Sequence, residues 1–401
     1  MTISDPSRTS EPLVEAPPYA DADVSYVMDL LDPQERGRFE EIRAFLQEEV
    51  RPHSIEPWNR EEFASDLVAR MAEHGLGELQ LDGSSRLFKG LVYAEVARAD
   101  VSLSALVGIH NELIVGMIDH LGSEEQKRQW LPGLRTFAKT GAFALTEPLH
   151  GSDIAGGLST TARREGDEWV INGSKRWIGM GTICDFALIW ARDEADGQIK
   201  AFIVESDREG YSAEKICNKV GLRIMQNAHI ELEEVRVPHS NLLPGASSFH
   251  AANELLRDSR AWVGWQGVGI QLAAFDVART YALSREQFGR QLARFQLVQE
   301  PLARMLGNAH ASLGLMVQLA RVQEEGRLDM VQAALGKSTT TRLARESVAA
   351  GRAMLGGNGI TSDYEMAKIF GDAEILFTYE GTYEINSLIV ARGVTGVSAF
   401  V

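Results

Sequence analysis

Trp169-Val170-Ile171-Asn172-Gly173-Ser174-Lys175-Arg176-Trp177-Ile178 is where the chain changes its period. β-Formers precede Asn-Gly, the dipeptide that supplies left-handed backbone to a two-residue turn, so a hairpin is expected at Asn172-Gly173. Phe186 to Ala191 and Ile199 to Val204 are apolar strands flanking a second turn at Asp196-Gly197. Ile230, Leu232, Val235 and Val237 mark one more strand, broken by a bulge at Glu233-Glu234. Short strands spaced by turns over 141–247, closed by Pro238 and Pro244, predict a small antiparallel sandwich or barrel.

Both flanks read as helices. Asp32-Pro33 is an N-cap followed by proline at the first helical position, and Phe39, Ile42, Phe45, Leu46 and Val50 then share a face that ends near Pro52. Helical pieces follow from Glu61 to Gly75, Leu87 to Ala99 and Ser102 to Leu121, and Ser123 with Gln126 forms a capping box. These pieces are too short and interrupted for one coiled coil. After the strands, His250 to Tyr281, Gln296 to Gln323, Met330 to Leu355 and Asn386 to Val394 carry apolar stripes. The expected fold is α+β, mostly α: an extension over 1–24, a helical domain over 25–140, a β domain over 141–247 and a helical domain over 248–401. Helices, then sheet, then helices is not a strand-helix alternation, and Gly179-Met180-Gly181 has Cys184 where a dinucleotide fingerprint needs its third glycine.

Composition narrows the function classes. With 40 basic against 56 acidic residues the net charge is −16, which argues against nucleic acid or an anionic membrane surface as partner. Two cysteines, Cys184 and Cys217, show no metal spacing with the nine histidines and read as small core residues in a reducing compartment. No apolar run of membrane-spanning length and no signal pattern is evident, so a cytoplasmic location is the default. The first twenty-odd residues, with Pro6, Pro12, Pro17 and Pro18, read as a mobile extension.

Five stretches carry chemistry. Near the C-terminus, Phe377-Thr378-Tyr379-Glu380-Gly381-Thr382-Tyr383-Glu384-Ile385-Asn386 sets an isolated carboxylate between apolar segments. A desolvated Glu has a raised pKa, which suits a base for a weakly acidic carbon, and Gly381 permits close backbone approach. The plain structural alternative is a helix start, Thr382 as N-cap and Glu384 in the first turn. Leu145-Thr146-Glu147-Pro148-Leu149-His150-Gly151-Ser152-Asp153 offers hydroxyls and free N–H groups to an anion or ring edge, or is a capped turn. Trp177 with Gly179 offers a stacking wall, although a strand tryptophan is more often core. Arg285-Glu286-Gln287-Phe288-Gly289-Arg290 suits a pyrophosphate or is solvated surface. Gly356-Gly357-Asn358-Gly359 alone is a glycine-rich helix end.

In this order, on a helix–sheet–helix chain, the five stretches resemble the acyl-CoA dehydrogenase and oxidase family from about residue 25 onward. Asn218-Lys219-Val220-Gly221-Leu222-Arg223, Leu355-Gly356-Gly357-Asn358-Gly359-Ile360, and Tyr379-Glu380-Gly381-Thr382 running on to Val394-Thr395-Gly396 are most similar to glutaryl-CoA dehydrogenases and plant peroxisomal short-chain acyl-CoA oxidases. The resemblance implies a homotetramer, a dimer of dimers, with one FAD per subunit and electrons passed to an electron-transferring flavoprotein. Leu145, Thr146 and Ser152 would contact the flavin ring or phosphates, with Trp177 against the ring and Gly179 beside it. Arg285, Gln287, Phe288 and the turn at Gly357 would reach the FAD of a neighbouring subunit, and Thr382 and Glu384 would touch FAD again. Ser152, Arg260, Ser104, Tyr379 and Gly381 are implied on the acyl-CoA side. Relatives carry their base at the position of Glu380 or at that of Ser259, so Glu380 is the only candidate, its own N–H being one donor to the thioester oxygen. The implied product is a trans-2-enoyl-CoA.

Three departures shape the expectation. Glutaryl-CoA dehydrogenases hold the distal carboxylate with an arginine; aligning back from Gly122-Ser123-Glu124-Glu125-Gln126 puts Ser104 there, and an unpaired buried carboxylate is costly. A short or branched monocarboxylyl group is therefore expected near Leu103, Leu106, Val107 and Ile109, with His110 and Asn111 as core hydrogen-bonders. Gly179 stands where most dehydrogenases have threonine, as in the plant oxidases, and Met180 replaces a common asparagine. An oxygen-reducing oxidase, a glutaryl-CoA dehydrogenase-like enzyme and a non-enzymatic acyl-CoA-binding scaffold are the alternatives. A class that N-hydroxylates amino sugars on this fold needs no base at Glu380.

Overall fold

The computed structural model describes residues 19 and 21–399, without the side chains at 252 and 255. Most of the expected mobile extension lies outside the described residues. Its described end is anchored: Ala22 is buried, and its carbonyl accepts from His310 Nε2 at 2.7 Å.

The first block is helical: α1 (Pro33–Phe45), α2 (Ile55–Arg60), α3 (Ser65–Glu73), α4 (Arg86–Ala99), α5 (Val101–Gly108), α6 (Gly116–Leu121) and α7 (Glu124–Leu134). Asp32 caps α1 through the N–H groups of Gln34 and Glu35, and Ser123 with Gln126 closes the expected capping box. The helix expected from Glu61 starts only at Ser65. Glu61 is instead the left-handed C-cap of α2 (φ 57°), and its carboxylate meets Arg223 at 2.6 Å. A π-helical turn over Ile109–Val115 joins α5 to α6. Contrary to expectation, Val101–Leu121 is long and apolar enough to cross a membrane by length and composition, but its window is 94% buried inside the protein. His110 and Asn111 are core hydrogen-bonders, to the carbonyls of Leu134 and of Leu76 and Val107.

The middle block holds β1 (Gly141–Ala144), α8 (Ile154–Gly157), β2 (Thr161–Glu165), β3 (Glu168–Ile178), β4 (Phe186–Asp193), β5 (Ile199–Glu205), β6 (Tyr211–Lys215) and β7 (Ala228–Pro238). The sheet runs β1-β4-β2-β3-β7-β6 with β5 on β4, and it is mixed: β1 and β2 both pair β4 in parallel. Asn172-Gly173 is not a turn. The hairpin reverses between β2 and β3 at Gly166-Asp167, and β3 runs straight through Asn172. The Asn-Gly pair answers the bulge foreseen at Glu233-Glu234: Asn172 Oδ1 accepts from the Glu234 N–H at 2.8 Å, and Gly173 sits at φ 143° against Thr160. A local signal lost to the long-range register of β7. Of the two cysteines only Cys184 is core; Cys217 is exposed.

The last block holds α9 (Phe249–Ser284), the small hairpin β8 (Glu286–Gln287) and β9 (Arg290–Gln291), α10 (Gln296–Glu324), α11 (Met330–Met354), α12 (Met366–Thr378) and α13 (Tyr383–Thr395). No separate signal along the chain marks α12, whose charged residues turn inward. Lys368 meets Asp100 at 2.7 Å, and Asp372 accepts from Trp58 Nε1 (3.1 Å) and the Leu222 N–H (2.7 Å). One buried cluster thus ties all three blocks together at the base of the segment that carries Glu380.

Candidate active site

α12 stops at Thr378, and α13 starts only after Thr382 caps it through the Ile385 N–H at 3.3 Å. Between them Glu380 (φ 54°) and Gly381 (φ 79°) are both left-handed. That conformation costs a non-glycine residue roughly 1–2 kcal/mol, and the residue bearing it is the carboxylate. The Glu380 N–H meets no acceptor among the described residues. The half-buried side chain accepts from Ser259 Oγ at 2.8 Å.

Buried groups brace this turn from three helices. Arg260 donates to the Leu256 carbonyl (2.7 Å) and to Asn386 Oδ1 (3.2 Å), and Asn386 Nδ2 donates to the carbonyls of Gly381 (2.8 Å) and Thr382 (2.9 Å). A Cβ on Gly381 would lie 3.1 Å from Asn386 Nδ2 and 3.3 Å from Arg260 Nη2, so glycine admits both its own φ and the arginine. Lys337, fully buried on α11, donates to the carbonyls of Tyr379 and Gly381. Burial pulls Lys337 down to about 7 against the opposing pull of Glu380, and it also lowers Arg260. Tyr379 donates its hydroxyl to Gln266 Oε1, and burial followed by the charge of Glu380 raises it well above the ordinary phenol value.

Ser104 joins this network from below. It accepts from Gln266 Nε2 at 3.0 Å and donates to the Tyr93 carbonyl at 3.1 Å. Its hydroxyl is therefore committed within the protein. Glu384 is exposed on the first turn of α13, held below the ordinary carboxylate range by its own N–H and the Thr382 hydroxyl. The structural alternative for Thr382 and Glu384 is thus realised locally. Next to Ser259, Arg257 and Asp258 line a cavity of about 270 Å³, with Arg86, His120 and Gln323.

A second cluster lies on the β domain. Lys175 Nζ meets Glu147 at 2.9 Å and the Leu145 carbonyl at 3.1 Å, and the Arg176 N–H donates to the Thr146 carbonyl at 2.9 Å. Burial works against Glu147, but Lys175 and donors on Ser159 and Thr160 outweigh it and hold the carboxyl at about 2. The segment 145–147 is therefore pinned to β3. At the end of β3, Trp177 is left-handed (φ 66°) and its indole is 54% exposed. Gly179 is buried, and a Cβ there would lie 3.2 Å from Ile109 Cδ1 and 3.3 Å from Met225 Sδ. Ser152 is exposed in the turn before α8. A bared indole on a strained carrier, beside a glycine and a fixed backbone edge, fits a planar ring such as flavin.

Arg285, Gln287 and Phe288 do not join these clusters. They sit on the hairpin beyond α9, with Phe288 93% exposed. Asn358 Nδ2 donates to the Tyr281 hydroxyl at 3.0 Å, which brings the Gly356–Gly359 turn, with Gly357, to the same end of α9. Ser259 and Arg285 are separated by roughly 40 Å of helix at 1.5 Å per residue. Lys337, Gln266, Asn386 and the Glu147–Lys175 pair were not singled out by motif. Lys337 was detectable as a lone charge on the stripe Ala333, Ala334, Gly336, Ser338 of α11.

Comparison with known proteins follows the same three blocks. The acyl-CoA dehydrogenase N-terminal, middle and C-terminal domain families match residues 33–137, 142–235 and 249–395. A short-chain specific acyl-CoA dehydrogenase of Clostridium acetobutylicum is 31% identical over 87% of this chain and 95% of its own. The solved glutaryl-CoA dehydrogenase of Mycobacterium smegmatis is 35% identical with a TM-score of 0.89, and in complex with FADH2 32% identical with 0.90; each covers 93% of this chain and 97% of its own. A chain in the structure of the electron-transferring flavoprotein of Acidaminococcus fermentans is 29% identical, with a TM-score of 0.87, over 91% of this chain and 98% of its own.

Proposed function

The chain belongs to the acyl-CoA dehydrogenase family of FAD-dependent oxidoreductases, and on that premise we propose that it desaturates a short or branched monocarboxylyl-CoA thioester to a trans-2-enoyl-CoA, with Glu380 as the base. The observation that carries this reading is the turn itself: a strained carboxylate with an unbonded N–H of its own, met by Ser259 and flanked by Arg260.

Glu380 takes the proton from the carbon next to the thioester carbonyl. Its backbone N–H is free to hydrogen-bond the carbonyl oxygen, where negative charge builds as the proton leaves. Ser259 orients the carboxylate, and Gly381 admits the left-handed turn and the guanidinium of Arg260 beside it. Leu145, Thr146, Ser152, Trp177 and Gly179 would hold the isoalloxazine and its phosphate arm, with Thr382 and Glu384 on the side of the base. When bound, FAD supplies the acceptor for the hydride that leaves the neighbouring carbon, so that a carbon–carbon double bond forms.

The committed hydroxyl of Ser104 supports a monocarboxylyl substrate, since nothing in the Ser104–Gln266–Tyr379 chain offers a cation to a distal carboxylate. Arg285, Gln287, Phe288 and Gly357 serve the FAD of a second subunit in a homotetramer, a role that their distance from Ser259 along α9 favours. An electron-transferring flavoprotein is the proposed acceptor. The second reading, an oxidase, rests on Gly179, the residue this chain shares with the plant oxidases where most dehydrogenases have threonine. Anaerobic mixing with butyryl-, isobutyryl- and glutaryl-CoA, followed by air, separates the readings. Bleaching of the flavin by the first two and slow reoxidation are expected. Preference for glutaryl-CoA with carbon dioxide release overturns the substrate class, and rapid reoxidation with peroxide overturns the acceptor.

A further inference from the structure

We infer that Lys337 is a positioning residue for catalysis: by clamping the carbonyls on both sides of Glu380 it holds the left-handed turn from which that residue presents its carboxylate and N–H together. The inference rests on the proposed role of Glu380. Lys337 is fully buried near the start of α11, and both hydrogen bonds go to the backbone of residues 379 and 381. A buried ammonium normally pairs with a carboxylate, because desolvation without a counter-charge is costly. Here its hydrogen-bond partners among the described residues are two carbonyls. Glu380 and Glu384 face it from the turn and from α13, and Arg260 opposes them from α9. Burial pushes the amine down to about 7, the mark of a group kept where it is expensive to keep.

The geometry explains why an ammonium is used. The carbonyls of Tyr379 and Gly381 bracket two consecutive left-handed residues, so they converge where a helical backbone would carry them apart. One tetrahedral donor reaches both. Asn386 Nδ2 bonds the Gly381 carbonyl as well, but among the described residues only Lys337 bridges the two.

Lys337→Met keeps the stem and removes the donors, and Lys337→Gln restores an amide donor on a shorter stem. Each variant is purified with FAD and characterised by stopped-flow bleaching with butyryl-CoA under anaerobic conditions. Its affinity for a non-reacting thioether analogue of butyryl-CoA is measured by titration. Its ability to deprotonate acetoacetyl-CoA is read from the enolate absorbance. The expected result for Lys337→Met is a loss in bleaching rate of about 10²-fold, the scale of a misplaced catalytic group, with little change in analogue affinity and weaker enolate formation. Lys337→Gln should fall between Met and wild type. If Lys337→Met does not fold, the same split in Lys337→Gln decides the matter. Rates within about twofold of wild type in the variants that fold, or a loss that lies wholly in affinity or FAD content, overturn the inference. Glu380→Gln is run beside them: if it also bleaches normally, the role of Glu380 itself falls, whereas an inert Glu380→Gln beside an active Lys337→Met removes only the clamp.

Discussion

Replacing Glu380 by Gln removes the proposed base and little else. Gln keeps an oxygen for Ser259 Oγ, which now donates to Glu380 at 2.8 Å, and it keeps the side-chain length. The cost of the left-handed backbone at φ 54° is common to both residues and cancels. The charge lost is half-exposed, so its effect on stability should stay within about 1 kcal/mol. Chemistry is affected differently. A positioned general base contributes about 10²–10⁴ in rate, or roughly 3–5 kcal/mol of barrier. The expected variant therefore binds FAD and the thioether analogue normally while anaerobic bleaching by butyryl-CoA slows by at least about 10²-fold. Bleaching within about tenfold of wild type would refute the assignment of the base. The contact with Ser259 adds a second arm: positions 259 and 380 converge on one place, so Ser259→Glu combined with Glu380→Gly should recover part of the lost rate.

Two further perturbations address the scaffold. Gly381→Ala places a methyl 3.1 Å from Asn386 Nδ2 and 3.3 Å from Arg260 Nη2 at φ 79°, so a stability loss of about 1–2 kcal/mol with slower bleaching is expected; an unchanged melting temperature and rate would show that the turn is not constrained. Asp372 is raised to about 6, chiefly by burial, with Lys368 opposing. Its folded value lies above the unfolded one, so it favours folding most below pH about 4, and that contribution is lost as pH rises through about 6. The stability of wild type relative to Asp372→Asn, from urea midpoints, should therefore decline between about pH 4 and 7; a flat difference would refute the shift.

Helices were legible wherever caps and apolar stripes agreed, as at Asp32-Pro33 and Ser123/Gln126. The bulge at Glu233-Glu234 was legible because two charges interrupt an alternating strand. The turn at Asn172-Gly173 was misplaced because its hydrogen bonds go to Glu234, 62 residues away in sequence, and no local propensity encodes such a partner. α12 went unnoticed because Lys368 and Asp372 are buried by charges from other blocks, and a window along the chain reads them as surface. For the site, Glu380 and Gly381 were singled out by pattern and Arg260 and Tyr379 by the family resemblance, and the four meet in space. Lys337 and Gln266 had no motif, since Lys337 acts on backbone carbonyls of residues 379 and 381 and Gln266 on the hydroxyls of Tyr379 and Ser104, all far off in sequence. Asn386 ends the stretch 377–386, but its bonds to the carbonyls of Gly381 and Thr382 exist only in the folded turn.

The position of the proposed base between two helices suits the needs of the proposed reaction. Within a helix beyond the first turn, a glutamate's N–H is bonded to the carbonyl four residues earlier and is lost to a ligand. In a flexible loop it would be free, but its direction would not be fixed. The end of α12 gives a third solution. The Tyr379 N–H still bonds the Ile375 carbonyl, so the chain is fixed up to that residue, and Thr382 fixes it again from the other side. The two residues between them are left-handed, which turns the Glu380 N–H out of both helices while the carboxylate stays within reach of α9. Strain, glycine and buried lysine are then parts of one arrangement, which on the proposed reading aims two functional atoms of one residue at adjacent atoms of one substrate.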